Sequence, residues 1–597
     1  MHKLPAASLA CCAVLSVATL PAAAAVYSVG NDADGSCTHA GIQAALDAAA
    51  STPEADEIRI SKAVEHSGPL RVYRGDLVIA GGYAGCSATM PSGRSVIRGT
   101  TGEPLPILAI DTGPCNTASP PPVRVEGLEL TLGSHQGVYV GGCIDLELAH
   151  LRIHGNSAAY GAGLAISGSG AATTRVALGH DVRIEDNTAT QAGGGVYAYA
   201  ASLRIDGIDT LVRGNRVTAA EGFGGGIALF GSDAALSTTA SLVSSGDGDD
   251  GVISRNAAAH GAGLHGSGHV FIEAYTGDGT RPVRFDHNAA APNGRGGAIS
   301  LFGADARMLV VEGVIDANSA AAGAAVALDG GARFLMQSLP PAHPADAVAC
   351  VPATSCNRIG ANIAANGGGR GLVVAASGGA PGAPTSARLA SLHIDGNVGD
   401  SLFSETCSGS SCPPLEFEVV NSLIAGNATR NVLDAPGVAS FECDLCTLTG
   451  PSASTQPVFR TAGGLSLSRS VVWEPGRPVV GGLVPAYLNA IAVQLHERSA
   501  FAPDDFPVES DIQVGDPRFA SSVTGDYRPA AGSPLLDRAW DSVTIPLDAG
   551  GRPRVVDQAG IPDVGGPVDV GAFERGPDDV LDDTLYVDGF DAAADRD

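Results

Sequence analysis

The sequence predicts an all-β protein: a right-handed parallel β-helix, or solenoid, with an N-terminal helical cap and a small C-terminal module. A unit of about 30 residues recurs along the middle of the chain. Glycine supplies 80 of the 597 residues and aromatic residues only 5%. This composition disfavours helical bundles, because glycine weakens a helix interior by about 1 kcal/mol relative to alanine. The segments between turns are also too short for crossover helices.

Each repeat consists of an apolar residue, two variable positions, asparagine, a small-residue turn, a Gly-Gly or Gly-Ala step and an aliphatic strand. Three short strands per repeat, as in 196–215, can close one coil that pairs with its neighbours at about 4.8 Å. We therefore expect roughly ten to twelve coils between residues 120 and 475. The asparagines should form a structural ladder of side-chain hydrogen bonds. They are Asn156, Asn187, Asn215, Asn256, Asn288 and Asn318, with the same spacing resumed at Asn397 and Asn427.

The chain carries a formal net charge of −28, which argues against nucleic acid or an anionic membrane as a partner. Residues 1–25 have the basic start, apolar stretch and small residues of a signal peptide. No later stretch supplies about 20 apolar residues, so we expect no transmembrane segment after the signal peptide. The sequence thus predicts a secreted protein, either extracellular or at the bacterial cell surface.

Ten cysteines follow the signal peptide, an even number that favours disulfides in an oxidising compartment. The close spacings suggest three local bridges, and the remaining four cysteines suggest two longer ones. The expected pairs are Cys350 with Cys356, Cys407 with Cys412, Cys443 with Cys446, Cys37 with Cys86, and Cys115 with Cys143. Cys443 and Cys446 also have the spacing of redox and zinc sites, but no second such pair or nearby histidine accompanies them.

Two parts of the chain resemble known families. FDHN at 285–288 followed by GGAI at 296–299 is similar to the paired repeats of polymorphic outer-membrane proteins. This resemblance covers about 150–430 and implies a right-handed β-helix displayed at a bacterial surface. GDYRPAAGSPLLD (525–537), DAGGRPR (548–554) and DVGAFE (569–574) resemble the terminal module of choice-of-anchor Q proteins, which implies a secreted bacterial protein without naming a reaction.

These features divide the chain into a signal peptide and four further parts. The segment at 26–60 looks like the start of secreted β-helix proteins, in which a helix caps the first coil; here Ile42, Ala45 and Leu46 supply its apolar face. A cap is expected because the first coil otherwise exposes a strand edge. The predicted parts are 26–120 for the cap and first coils, 121–475 for the repeats, 476–575 for the C-terminal module and 576–597 for an acidic tail.

An enzyme is the alternative function, because some parallel β-helices cut polysaccharides. Such lyases need acidic residues around Ca²⁺ with a basic partner, and hydrolases need paired carboxylates. After the signal peptide Lys62 is the sole lysine, and no such cluster is evident, so no catalytic residue is assigned. No metal site or cofactor is assigned either; Ca²⁺ at the acidic GDGDDG (246–251) is the alternative to a solvated loop. We expect scattered histidines, including His260 and His265, to be surface residues.

One face of the predicted solenoid is rich in aromatic residues. If the first residue after each glycine step points inward, the residue three positions later points outward. The inward set is Leu164, Val196, Ile227, Leu264, Ile299 and Val326, and the outward set is Ser167, Tyr199, Phe230, Ser267, Phe302 and Asp329. Tyr197 and His265 share the outward face. The candidate binding residues are therefore Tyr197, Tyr199, Phe230 and Phe302, which either stiffen the rod as a stacked ladder or grip a partner.

Taken together, the sequence favours a non-catalytic adhesion or binding protein whose partner is an extracellular glycan or a protein surface. The alternative is a carbohydrate-active β-helix enzyme, either a lyase like the pectate lyases or a glycoside hydrolase.

Overall fold

The computed structural model describes most of the chain between residues 24 and 576. The described residues are 24–31, 36–100, 102, 104–115, 119–207, 209–244, 252–276, 282–338, 357–365, 369–378, 383–407, 414–437, 439–449, 454–461, 463–474, 477–481, 486–489, 492–493, 509–510, 516–539, 545–563 and 566–576. The predicted signal peptide, apart from its last two residues, the calcium candidate at 246–251 and nearly all of the acidic tail lie outside these ranges.

The fold is a parallel β-helix built from three long sheets, A, B and C. Sheet A contains Val26–Val29, Asp56–Ser61, Leu77–Tyr83, Pro122–Glu126, Ile144–Ala149, Thr174–Leu178, Ser202–Ile205, Thr238–Ser244, Val270–Thr276, Arg307–Val311, Arg333–Gln337, Thr385–Ala390, Leu415–Val420, Ser440–Asp444, Leu465–Ser468, Ala486–Asn489 and Glu509–Ser510. Sheet B contains His66–Ser67, Ser95–Arg98, Leu128–Thr131, Arg152–His154, Arg183–Glu185, Leu211–Arg213, Ile253–Ser254, Val283–Asp286, Gly313–Asp316, Arg358–Gly360, His393–Asp395, Leu423–Ala425, Thr447–Thr449, Val471–Trp473 and Ala492–Val493.

Sheet C has two strands per coil in the middle of the molecule. The earlier set, C1, contains Ser157–Tyr160, Thr188–Ala192, Arg216–Val217, Ala257–His260, Ala289–Arg295, Ser319–Ala320 and Ile363–Ala364. The later set, C2, contains Leu164–Ser167, Val196–Tyr199, Ile227–Gly231, Leu264–Gly268, Ile299–Phe302, Val326–Asp329 and Val374–Ala376. The remaining strands of the sheet are Leu70–Val72, Leu108–Asp111, Val138–Gly141, Val398–Glu405, Ala428–Ala435, Phe459–Thr461 and Val480–Gly481.

Successive coils stack in register around a continuous apolar core. Leu164 pairs with Val196, and Val196 with Ile227, so equivalent positions of the repeat lie directly above one another. All six residues predicted to point inward are fully buried: Leu164, Val196, Ile227, Leu264, Ile299 and Val326. The core is therefore a set of aliphatic rows, each of which adds one buried side chain per coil.

The paired strands of sheet C correct the prediction of three strands per coil. The break between C1 and C2 is a glycine in the left-handed region, for example Gly193 with φ of 65°. A Cβ atom there would lie only 2.4 Å from the carbonyl oxygen of Val196, so another residue would both strain the backbone and clash. Where no positive-φ residue interrupts the chain, Val398–Glu405 and Ala428–Ala435 run through as single strands.

Buried asparagine side chains link the coils at the turn before C1. The Nδ2 atom of Asn187 donates to Oδ1 of Asn215 at 3.0 Å and to the carbonyl of Ile153 at 2.9 Å. The backbone N–H of Asn187 also donates to Oδ1 of Asn215, at 3.0 Å. The same pattern joins Asn156, Asn187, Asn215, Asn256, Asn288, Asn318, Asn362, Asn397 and Asn427. Asn362 was not predicted; it joins the two groups of repeats.

The N-terminal helix spans Ile42–Ala50 and packs its apolar face into the main core. Its buried residues include the three predicted from the sequence, together with Ala49. The helix contacts the early strands Val26–Val29, Asp56–Ser61 and Leu70–Val72, and its role as a cap stays a prediction. In the described part of the chain, no helix is long and apolar enough to cross a membrane.

The coils continue past residue 475, where we predicted the C-terminal module to begin. Ala486–Asn489 pairs in parallel with Leu465–Ser468, and Ala492–Val493 pairs with Val471–Trp473. The predicted boundary therefore falls inside the stack, because the strand pattern persists where the asparagine repeat has faded.

The described residues between 516 and 576 fold back against the outer face of sheet B. Leu535, Val568 and Val570 pack on Leu445 and Val471, and a second cluster brings Ala549, Ala572 and Phe573 against Leu423 and Ala425. The segment contains one antiparallel strand pair, Phe519–Ser521 with Asp526–Pro529. We call residues 516–576 the docked module.

Three of the expected disulfides are present. Cys37 bonds to Cys86, Cys115 to Cys143, and Cys443 to Cys446. Cys407 is also oxidised. Cys350, Cys356 and Cys412 lie outside the described residues. Because Cys443 and Cys446 are bonded to each other and buried, the bridge interpretation of this pair is confirmed over the metal one.

Candidate binding surface

The outward row on C2 follows the predicted order. Ser167 pairs with Tyr199, Tyr199 with Phe230, Phe230 with Ser267, Ser267 with Phe302 and Phe302 with Asp329. These residues are exposed or half-buried, in contrast to the fully buried inward row. The alternation of strand side chains thus places aromatic rings on the outside of sheet C.

The rings that contact one another form a ribbon that combines C2 side chains with residues at the ends of C1. Its members, called the aromatic ribbon below, are Tyr160, Tyr197, Phe223, Phe230, His260 and His265. Ring centroids are 5.4 Å apart for Tyr160 and Tyr197, and 5.5 Å apart for Tyr197 and Phe230. Each of these contacts steps from one coil to the next, so the ribbon runs along the axis of the solenoid.

From the coil of Phe230 onward the ribbon is two rings wide. The His265 ring lies 5.5 Å from Phe230 and 4.6 Å from Phe223, and Phe223 stacks on His260 at 5.5 Å. Phe223 and His260 lie in one row at the end of C1, where Phe223 forms parallel bridges with Ala192 on one side and with His260 on the other. Tyr160, Phe223 and His260 were not predicted as ribbon residues, because the repeat pattern does not reveal C1 as a separate strand.

Tyr199 and Phe302 belong to the outward row but stand beside the ribbon. Tyr199 neighbours Phe230 in register, whereas the ring that contacts Phe230 is that of Tyr197. Phe302 is 55% exposed, and its ring lies toward Gly330 of the following coil. The stripe predicted as one row therefore divides into a stacked ribbon and two flanking rings.

His265 is a buried histidine, which corrects its assignment to the surface. Only 4% of the residue is exposed, because Phe223 and Phe230 cover its ring. Burial, with a small contribution from His260, lowers the pKa of His265 to about 3, so the imidazole is neutral at pH 7. Its Nδ1 atom lies 3.4 Å from the hydroxyl of Ser300.

The surface around the ribbon carries little charge. The six C1-to-C2 segments at 157–167, 188–199, 216–231, 257–268, 289–302 and 319–329 contain four charged residues, Arg216, Glu221, Arg295 and Asp329. Arg295 pairs with Asp329 at 2.9 Å, and Glu221 accepts from Nε2 of His260 at 3.1 Å. Two arginines and two acids give this face no net formal charge, although the chain as a whole carries −28.

A cavity of about 610 Å³ lies where sheets A and B meet in the early coils. Arg94 forms an ion pair with Asp181 and donates to the carbonyl of His150 at 2.9 Å. Glu129 interacts with His154 at 2.9 Å. Arg94, Asp181 and Glu129 are thus already partnered by protein groups, and no ligand is assigned to this cavity.

Polar residues of the motifs DAGGRPR (548–554) and DVGAFE (569–574) form the buried interior of the docked module. Arg554 is fully buried, lies 3.3 Å from Glu574 and donates to the carbonyl of Gly571 at 2.6 Å. Burial raises the pKa of Glu574 to about 9 and that of Asp569 to about 6. Asp548 accepts the backbone N–H of Glu574 at 2.8 Å. These residues therefore hold the module together rather than face a ligand.

Within the described residues, three carboxylates lie close enough to share a cation. Ligand atoms of Asp537, Asp557 and Asp563 fall within 4.8 Å of one another. Asp537 is buried and accepts the backbone N–H of Gln558. Three carboxylates are fewer than the six to eight oxygen ligands that Ca²⁺ takes, and no metal is assigned to them.

The fold and this surface define the class of the protein: a disulfide-bonded parallel β-helix repeat protein with a laterally docked C-terminal module. Comparison with known proteins adds no closer relationship, since no family model, curated protein or solved structure matches the chain.

Proposed function

We propose that this is an exported, non-catalytic binding protein that holds an extracellular glycan on the aromatic ribbon of sheet C. The observation that carries the proposal is the unbroken series of ring contacts from Tyr160 through Phe230 to His260. Aromatic side chains combine a large apolar surface with a defined orientation, and Tyr adds a polar tip that suits hydroxyl-rich partners. Tyr160 keeps 46% of its surface exposed, so the ribbon is open to a partner at this end.

The arrangement of carboxylates supports binding over hydrolysis on this face. Glycosidases need two carboxyl groups about 5 to 9.5 Å apart. The two acids here, Glu221 and Asp329, lie three coils apart along the axis, a separation of about 14 Å. Asp329 also forms an ion pair with Arg295. The enzyme alternative would require a site assembled elsewhere.

Export is supported by two independent features. The N-terminal sequence has the organisation of a signal peptide, and the disulfides of the described residues fit an oxidising compartment. The resemblances to polymorphic outer-membrane proteins and choice-of-anchor Q proteins point the same way. We therefore propose that the mature chain begins near Val26 and acts outside the cytoplasm.

A glycan array and a panel of insoluble polysaccharides, scored separately for binding and for new reducing ends or unsaturated products, test the proposal. We expect binding without cleavage, reduced at least tenfold by Tyr160→Ser and Tyr197→Ser. Phe271→Ser is the matched control, because Phe271 is a 44% exposed aromatic residue on sheet A. Cleavage at enzymatic rates, or equal binding by ribbon and control variants, would overturn the proposal.

A further inference from the structure

We infer that the ligand of the aromatic ribbon is a neutral, extended polysaccharide chain that lies parallel to the solenoid axis and places about one sugar residue on each coil. This inference rests on the proposed function and adds the charge, shape and orientation of the ligand.

The charge of the ligand follows from the contrast between the ribbon and the rest of the chain. The ribbon face has no net formal charge: Arg295 is paired with Asp329, and the exposed Arg216, at the start of its C1 strand, is balanced by Glu221. A polyanionic glycan would also approach a chain whose net charge is −28, and like charges repel at long range. A uronate or sulfated polymer requires cationic partners that the ribbon does not supply. A neutral sugar chain avoids the long-range repulsion and needs no cationic partners.

The shape of the ligand follows from the spacing of the rings. Neighbouring coils are about 4.8 Å apart, which is comparable to the length of one pyranose ring in an extended chain. From the coil of Tyr160 to the coil of His265 there are three such steps, a span of about 14 Å. The stacked rings follow this direction with centroid spacings of 4.6 to 5.5 Å. A straight polymer can therefore keep the same contact on successive coils, whereas a curved one cannot.

The width of the ribbon favours a linear polymer over a globular protein partner. The ribbon has one ring per coil at Tyr160 and at Tyr197, and two rings per coil at the next two coils, Phe223 with Phe230 and His260 with His265. Along the axis, the positions in register with Tyr197 on the two neighbouring coils are the small, buried residues Ala165 and Ala228. A stable protein interface usually buries about 800 Å² on each partner around a central cluster, which a strip this narrow does not provide.

The test measures affinity for three matched oligosaccharide series by calorimetry: straight β-1,4-linked gluco-oligosaccharides, curved α-1,4-linked ones, and oligogalacturonates of equal length. We expect the straight neutral series to bind best and to gain affinity with each residue up to about four. Binding should change less than twofold between low and high salt. Tyr197→Ser should weaken it at least tenfold, and Phe271→Ser should not.

A gain-of-function variant tests the charge preference of the ribbon without removing an aromatic ring. Ser267 lies between Phe230 and Phe302 in the outward row, and Ser267→Arg should raise the affinity for oligogalacturonates at least tenfold. Preferred binding of the uronate or curved series by the unchanged protein would overturn this inference while leaving the proposed function intact. Absence of binding to every glycan, with a protein ligand recovered on the ribbon instead, would overturn both.

Discussion

Removing one asparagine from the middle of the ladder should destabilise the solenoid by an amount that the contacts predict. Four hydrogen bonds end on the side chain of Asn215: its Nδ2 donates to the carbonyl of Ile184 and to Asn256, and its Oδ1 accepts two bonds from Asn187. The residue is fully buried, so water cannot replace them. At about 1 kcal/mol net for each bond, Asn215→Ala should cost about 4 kcal/mol.

Asn427→Ala is the matched control. Its side chain also makes four hydrogen bonds, to Ile394, Ala425 and twice to Asn397, but Asn427 is only half-buried. Water can therefore replace some of the hydrogen bonds that Asn427→Ala removes. We expect this variant to lose at most half as much stability as Asn215→Ala, about 1–2 kcal/mol.

Urea unfolding followed by circular dichroism gives the overall change in stability. Because repeat arrays can unfold in parts, hydrogen exchange of the peptides on both sides of Asn215 should accompany it. We expect faster exchange in the two adjoining coils and little change near the N-terminal helix. If Asn215→Ala costs under about 1 kcal/mol, or no more than Asn427→Ala, the ladder does not stabilise the stack through these bonds.

Three further predictions concern the docked module, the buried histidine and the cysteines. Phe573→Ala should loosen the module by about 3 to 5 kcal/mol, so that limited proteolysis removes residues beyond 516 while the melting of the coils is unchanged; simultaneous melting of both would refute independent docking. His265 has a folded pKa of about 3 against an unfolded value near 6.5, so the folded state binds fewer protons and stability is lost as pH falls from about 6.5 toward 3. His265→Gln should flatten this part of a plot of melting temperature against pH, and an unchanged slope would contradict the burial argument. Thiol titration of unfolded, unreduced mature protein should find no free cysteine, and two or more free thiols would show that the predicted set of five bridges is wrong.

The repeat could be predicted because every coil must bury side chains and pair with its neighbours at the same positions. An inward aliphatic residue and the ladder asparagine recur at fixed positions, and the six predicted inward residues are all buried. Asn362 was missed although IGAN at 359–362 fits the repeat, because the cysteine-bearing segment before it stretches the spacing. The division of sheet C was also missed, since a break set by one positive-φ glycine does not change the alternation that sequence patterns detect.

The position of the docked module could have been anticipated from sheet B. Its outward residues are charged at Arg284, Asp316 and Arg358, where they form ion pairs, and become Leu423 and Val471 where the module packs. Loss of charge on one face of consecutive strands is a signal of a covered surface. The burial of His265 had no such signal, because it depends on Phe223, which reaches the ring from a different strand.

The lateral docking of the module has a consequence for the order of assembly during synthesis. The atoms that receive it, such as Oγ1 of Thr447 and the carbonyl of Arg469, belong to coils that precede it in the chain, and N-terminal parts of a chain emerge first. The module can therefore dock only after these coils have formed. If a coil in this region is lost or shifted, the module has no surface to pack against, and its acidic interior stays exposed to water. Deletions among the last coils should consequently be tolerated far less well than deletions of whole coils in the middle of the rod.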